Sequence, residues 1–225
     1  MNYHINTILV WDSFKKNDEC PLCAIQSVVE GQLVDQYLDE CVMVDSYRAD
    51  VNRLGFCPNH FVKLYKGENK CGLALQTHTR FGTLRKKIKA TDNVKKAAQL
   101  AESIKKELST CIICDTINFN MQRYYSELPK MYADEKQFAE VLRNCKGFCL
   151  KHLGLLLAEA KHAGKSASAY LADIFAVEEQ NLNRLDGEIK FFTEKFDYRN
   201  TSKPWGTSQD ALPRTIEKIH GKILK

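Results

Sequence analysis

One arrangement of residues occurs twice in this chain, in the same order. Cys20 and Cys23 form a CxxC and are followed by Gly55-Phe56-Cys57-Pro58-Asn59-His60. Cys111 and Cys114 form a second CxxC, followed by Gly147-Phe148-Cys149-Leu150-Lys151-His152. The two CxxC pairs start 91 residues apart and the two histidines stand 92 apart, so one inserted residue, most simply Lys146, reconciles two copies. A CxxC brings two thiols within reach of one ion, and a distant CxxH completes a Cys3His tetrahedron of the kind zinc prefers. Any fold for this chain must therefore gather residues far apart in sequence. The adjacent pairing predicts one site from Cys20, Cys23, Cys57 and His60, and a second from Cys111, Cys114, Cys149 and His152. That means two zinc ions per chain, with four protein ligands each and no open coordination position.

The local sequence supports thiolate at these positions. In CPLC and CPNH a proline follows the first ligand, where helix position N1 accepts it. The first cysteine then falls at an N-cap and the second ligand at N3. Unbonded N–H groups and the positive end of the helix dipole favour negative sulfur there. Gly55 and Gly147 allow a sharp turn before the ligand, and Phe56 and Phe148 read as wedges beneath it. An iron–sulfur cluster with one histidine is the alternative metal reading, although such clusters usually show other spacings. Buried cysteines also act as small hydrophobes, which suits Cys41 and Cys71. Cys145, four residues before Cys149, reads as core packing or as an extra thiol.

Apolar residues recur with helical spacing almost throughout, and no strand-like alternation stands out. The expected fold is all-α. Ile25, Val29, Leu33, Tyr37 and Cys41 form one stripe, and Val44, Tyr47, Val51 and Leu54 a second. A helix is predicted from Pro58 to near Gly67. A further stripe comprises Leu73, Thr77, Phe81, Leu84 and Ile88. The second half follows with Ile113, Ile117, Met121, Tyr124 and Leu128, stopping at Pro129. Phe138, Leu142 and Cys145 come next, then Leu153, Leu156 and Leu157. A long helix carries Leu171, Ile174, Leu182, Leu185, Ile189, Phe192 and Phe196. These stripes predict two pseudo-repeated units at 1–90 and 111–200, a linking helix at 91–110, and a tail at 201–225 with a short helix from Pro213. Trp205 is expected to anchor that tail.

Nine cysteines in 225 residues, with no secretory signal pattern, fit a cytoplasmic chain whose thiols stay reduced. No run of about 18 apolar residues is present, so no membrane span is expected. Net charge is only +5, which argues against nucleic-acid binding. That class would need a basic stripe from Arg80, Arg85, Lys86, Lys87, Lys95 and Lys96. The Arg85–Lys89 run and Lys95–Lys96 read as a solvated helix face or as contacts to an acidic partner. His4, His78, His162 and His220 show no ligand or nucleophile spacing. No phosphate loop or nucleophile elbow occurs. Two functional classes stand out: a binding module for a protein or small-molecule ligand, and a metal- or thiol-dependent enzyme with its site near Cys145 and the PWG tail.

On the residues Cys20–Cys23, Gly55–His60, their second copies, and Pro204–Arg214 (PWG…DALPR), the chain resembles a family of bacterial cytoplasmic proteins with no established activity. Relatives in that family often bear the label of an ABC-transporter substrate-binding protein. The label does not suit this chain, which shows no signal, no lipobox and no α/β pattern. The resemblance covers almost the whole chain and implies metal binding without naming a role.

Overall fold

A computed structural model of the chain describes residues 5–222. Among these the regular structure is entirely helical, with no strand. Twelve α-helices follow in order: α1 Ile5–Lys15, α2 Pro21–Leu38, α3 Glu40–Met43, α4 Asp45–Leu54, α5 Pro58–Lys66 and α6 Lys70–Lys87. Then come α7 Val94–Leu108, α8 Ile112–Asp134, α9 Lys136–Arg143, α10 Leu150–Ala158, α11 Ala167–Glu194 and α12 Ala211–His220. A 3-10 segment at Ala160–Ser166 turns through Gly164, and two shorter ones lie at Tyr198–Asn200 and Gly206–Ser208.

The chain divides into two compact units, one of Met1–Ser27 with Met121–Lys225, the other of Val28–Asn120. These units are interleaved along the chain. The 91–110 helix belongs to the unit of Val28–Asn120, and the tail belongs to the other. The physical reason lies in which ligands meet, described below.

Two helices follow their predicted faces closely. On α2, Ile25, Val29, Leu33 and Tyr37 are buried, and on α8 so are Ile113, Ile117, Met121, Tyr124 and Leu128. α8 does not stop at Pro129 but runs through it to Asp134. An interior proline forfeits a backbone hydrogen bond and costs about 3 kcal/mol. Met131 and Tyr132, buried in the extra turn, offset that loss. Pro58 opens α5 and Gly67 follows its end, as expected.

Two other helices bury only part of the face that apolar spacing selected, Leu73 on α6 and Ile174 and Leu185 on α11. The buried side of α6 is Gly72, Leu73, Gln76 and Arg80, while Phe81 is 64% and Ile88 60% exposed. The buried side of α11 is Tyr170, Ile174, Val177, Glu178, Asn181 and Leu185, while Leu182 and Phe196 face solvent. In both cases buried polar side chains bond carbonyls at helix ends and loops. Gln76 Nε2 donates to the Tyr37 carbonyl at 2.7 Å, and Arg80 Nη1 to those of Asn52 and Arg53 at 2.7 and 3.1 Å. Asn181 Nδ2 donates to the Cys145 carbonyl at 3.3 Å. Of the α4 stripe only Val51 is buried.

Candidate metal centres

The four CxxC and CxxH elements all open helices. Cys57 and Cys149 are the N-caps of α5 and α10. Cys20 and Cys111 immediately precede α2 and α8, and their carbonyls accept early backbone bonds from Ala24 at 3.3 Å and Asp115 at 3.0 Å. The second ligand of each element, at Cys23, His60, Cys114 and His152, stands at N3. One turn of helix thus places each pair of ligands on the same side.

The pairing between elements is crosswise. Cys20 and Cys23 converge with Cys149 and His152, and Cys57 and His60 converge with Cys111 and Cys114. The adjacent pairing expected from sequence order is overturned, although the eight residues are the same. Backbone ties account for the second grouping. Ile112 N–H donates to the Gly55 carbonyl at 3.0 Å and Thr110 Oγ1 to the Leu54 carbonyl at 2.6 Å. These bonds lay the segment entering the second CxxC along the turn that carries Cys57.

The distances within each group test whether an ion fits. Zinc with sulfur near 2.3 Å and nitrogen near 2.0–2.1 Å sets tetrahedral ligand atoms about 3.6–3.8 Å apart. In the first centre, His152 Nδ1 lies 3.4 Å from the Sγ of Cys20, 3.4 Å from that of Cys23 and 3.3 Å from that of Cys149. Its Cys23 and Cys149 sulfurs are 3.6 Å apart. In the second, His60 Nδ1 lies 3.2 Å from the Sγ of Cys57, 3.3 Å from that of Cys111 and 3.4 Å from that of Cys114. There the Cys57 and Cys114 sulfurs are 3.8 Å apart. The sulfur–sulfur spacings match the edges of such a tetrahedron and the sulfur–nitrogen spacings fall a few tenths of an ångström inside them, so each group has the size to take a divalent ion.

Both histidines present Nδ1 to the sulfurs and Nε2 to an acceptor on α2. His152 Nε2 faces Gln26 Oε1 at 3.2 Å, and His60 Nε2 faces Glu30 Oε1 at 3.0 Å. An Nε2–H donating outward leaves the Nδ1 lone pair for a metal, the usual outer partner of a ligating imidazole. Lys63 Nζ lies 2.5 Å from Glu30 Oε1. Burial raises the Glu30 carboxyl, but His60 and Lys63 outweigh it and hold the group below its ordinary range. Sequence reading missed Gln26 and Glu30. Their signal was slight: half-buried Gln26 and buried Glu30 stand one turn apart on α2, among other polar residues.

In each donor set one thiol gives up its proton readily and its neighbours do not. Bonds from Cys20 and Cys23 drive the Cys149 thiol far down, while burial, Cys149 and Cys23 hold Cys20 well up. The hydrogen bond to Cys149 leads in pushing Cys23 up to about 12. In the second centre burial opposes ionisation of Cys111, yet His60 and the backbone N–H groups of Cys114 and Cys57 bring it down to about 6. Burial and the Cys111 charge push Cys114 the other way. Each set lets one thiolate form and penalises the next. A divalent cation is the chemistry that relieves this, so the residues present fit a metal.

The turns before Cys57 and Cys149 are held by buried ion pairs. Gly55 has φ 65° and Gly147 φ 78°, conformations that require glycine. Arg80 binds the carbonyls at the end of α4 and pairs with Glu107 at 2.6 Å. Lys218 binds the Lys146 carbonyl at 2.9 Å and pairs with Glu178 at 3.1 Å, and Glu178 accepts from Phe148 N–H. Arg80 and Lys87, two members of the suggested basic stripe, are both spent on Glu107.

The tail closes over the first centre. Arg214 pairs with Glu188 at 2.6 Å and with Glu19, the residue before Cys20, at 3.2 Å. Trp205 stacks on Phe192 at 5.5 Å and lies under Lys195 Nζ, which bonds the carbonyls of Asn200, Thr201 and Lys203. The expected anchoring role of Trp205 is thereby accounted for. Beyond α12, Lys222 N–H donates to Cys23 Sγ at 3.4 Å. Cys145 joins neither group; its sulfur accepts from Gly147 N–H at 3.3 Å, and burial pushes its thiol up to about 11. Cys41 is buried and Cys71 exposed. His78 and His220 also stand outside both groups, and His162 pairs with Glu159 at 3.0 Å. His4 lies outside the described residues.

These features define an all-helical protein with two Cys3His groups whose ligand atoms lie close enough together to share a metal ion. The chain belongs to a family of unknown function, DUF6062, whose model matches residues 1–225. No curated protein and no solved structure matches it. Among the described residues no helix is long and apolar enough to cross a membrane.

Proposed function

We propose that each group holds one zinc ion as a closed structural centre, and that the protein is a binding module displayed on zinc-pinned helices. The observation that carries this reading is the tetrahedral spacing of three sulfurs and one Nδ1 in each group. Four protein ligands leave no position for water or substrate, which separates structural from catalytic zinc. Three thiolates and one Zn2+ sum to −1, a charge that helix N-termini partly offset. All nine cysteines are free, in keeping with a reducing compartment such as the cytoplasm. The matched N-cap geometry of the two sets supports an internal duplication. Elemental analysis of anaerobically purified protein tests the reading. Two zinc per chain is expected. Less than one metal per chain would overturn it, and a brown chromophore near 400 nm would replace zinc with an iron–sulfur cluster.

The rival reading, a thiol enzyme using Cys145, is disfavoured by that residue's half-buried setting, whose desolvation pushes the thiol up. A reactive cysteine needs the opposite environment.

A further inference from the structure

Beyond Leu73 no member of the predicted apolar stripe of α6 is buried, and α7 buries none of its fifteen residues. Between them runs a groove. One cavity of about 420 Å³ is walled by Phe56, Phe61, Phe81, Leu84 and Leu108, with Arg80 and Glu107 on its border. A second, of about 160 Å³, shares Leu84, Glu107 and Leu108 and continues past Ile88, Leu100 and Ile104. Leu108 is 72% exposed, and Val94 lies bare at the start of α7. An exposed apolar strip of this kind marks a binding face. The segment of α6 and α7 that carries it is cationic: between Arg85 and Lys106, Arg85, Lys86, Lys89, Lys95, Lys96, Lys105 and Lys106 are all exposed, against Asp92 and Glu102. None of the seven forms an ion pair with a described residue.

We infer that this groove receives an amphipathic helix with apolar residues on one face and aspartate or glutamate flanking them, contributed by a partner protein. The inference rests on the binding-module reading and names its partner chemistry. Apolar knobs at i, i+3/i+4 and i+7 fill such a trough, and acidic flanks meet the cationic side chains. A second copy of this chain would bring seven like charges against seven, which opposes self-association. A flat bilayer would leave the concave cavities unfilled. Phosphate backbones would meet the lysines but gain nothing from Ile88, Val94 or Leu108.

The test selects helix-biased 18-residue peptides from a displayed library on the zinc-loaded full chain, with counter-selection on a Phe81→Asp/Leu108→Asp variant. Both positions are exposed, so the variant is expected to keep its helix content and both metals, which are measured alongside. Survivors should carry Leu, Ile or Phe at helical spacing with Asp or Glu between. A synthetic survivor should bind at least about tenfold more weakly to the variant. It should also lose several-fold affinity between about 50 and 500 mM salt. No sequence lost to counter-selection, or basic survivors, would overturn the proposal. So would vesicles of phosphatidylglycerol, an oligo-dT strand or self-association that depends on Phe81 and Leu108 in place of peptide. Failure with two metals retained refutes the groove alone. Absence of metal in the parent protein refutes the zinc reading instead.

Discussion

The two centres have identical ligand chemistry and different cover. In the first, all four ligands are buried, the imidazole is held by a neutral amide, and the tail lays Lys222 N–H on a sulfur. In the second, Cys57 and Cys114 are part-exposed, the imidazole is held by a carboxylate, and the described residues place no strap over the sulfurs. Ligand set fixes which ion fits. Surroundings fix how easily it leaves. On this account metal should leave the second centre first.

The largest effect separates ligands from bystanders. Cys57→Ser should lose the second centre's ion and unfold its unit, since structural zinc contributes about 10–16 kcal/mol of apparent free energy in small zinc-finger peptides. Cys145→Ala should keep both ions. Zinc stoichiometry and circular dichroism on the two variants decide this. Retention of both ions by Cys57→Ser would break the assignment.

The glycines sharpen the comparison. A methyl group on Gly147 would sit 2.6 Å from Glu178 Oε1 and 2.8 Å from Lys218 Nζ, both deeply buried. On Gly55 it would meet only Arg80 Nε at 3.2 Å. Each substitution to alanine carries about 1–3 kcal/mol of backbone strain. Gly147→Ala should cost more, because the buried pair must also move. Equal losses in denaturant melts would show that the two turns are held alike.

Outer contacts should have smaller, opposite consequences for the two ions. Glu30→Leu should weaken the second centre by about 10–100-fold, measured by competition with a chelator, and leave the first unchanged. Lys222→Pro removes one N–H and should speed chelator extraction from the first centre several-fold. If both ions of the parent protein leave at one rate, the difference in cover has no kinetic meaning.

The smallest effect is electrostatic. Bonds from Lys87 lead in lowering the Glu107 pKa beneath its ordinary 4.5, with Arg80 adding to them. A depressed carboxyl stabilises fully above about pH 4.5, and that contribution fades as pH falls through the lowered value. Glu107→Gln should therefore lose a little stability at neutrality, match the parent once pH falls below the lowered value, and so flatten the acid dependence between them. Steeper acid sensitivity in the variant would contradict the pairing.

Much of this was legible in the chain. The helical period gave α2 and α8 their buried faces, and CxxC and CxxH spacing gave all eight ligands and their N-cap positions. Buried polar residues were the blind spot. Gln76, Glu178, Asn181 and Lys218 drew no expectation and Arg80 read only as part of a basic stripe, yet they hold carbonyls and turns and set which sides of α6 and α11 face inward. Crosswise pairing was hidden for another reason. Spacing shows which elements match, but ties such as Ile112 to Gly55 decide which elements meet.

The crosswise pairing is the central claim, and two double variants test it directly. Cys20→Ser with Cys149→Ser damages one centre in this structure and should leave one metal per chain. Cys20→Ser with Cys57→Ser damages both and should leave none. Adjacent pairing predicts the reverse: none for the first combination and one for the second. Elemental analysis, checked by cobalt(II) absorption of any remaining tetrahedral thiolate site, reads both. One metal in Cys20→Ser/Cys149→Ser and none in Cys20→Ser/Cys57→Ser is the expected result, and the inverted pattern would contradict it.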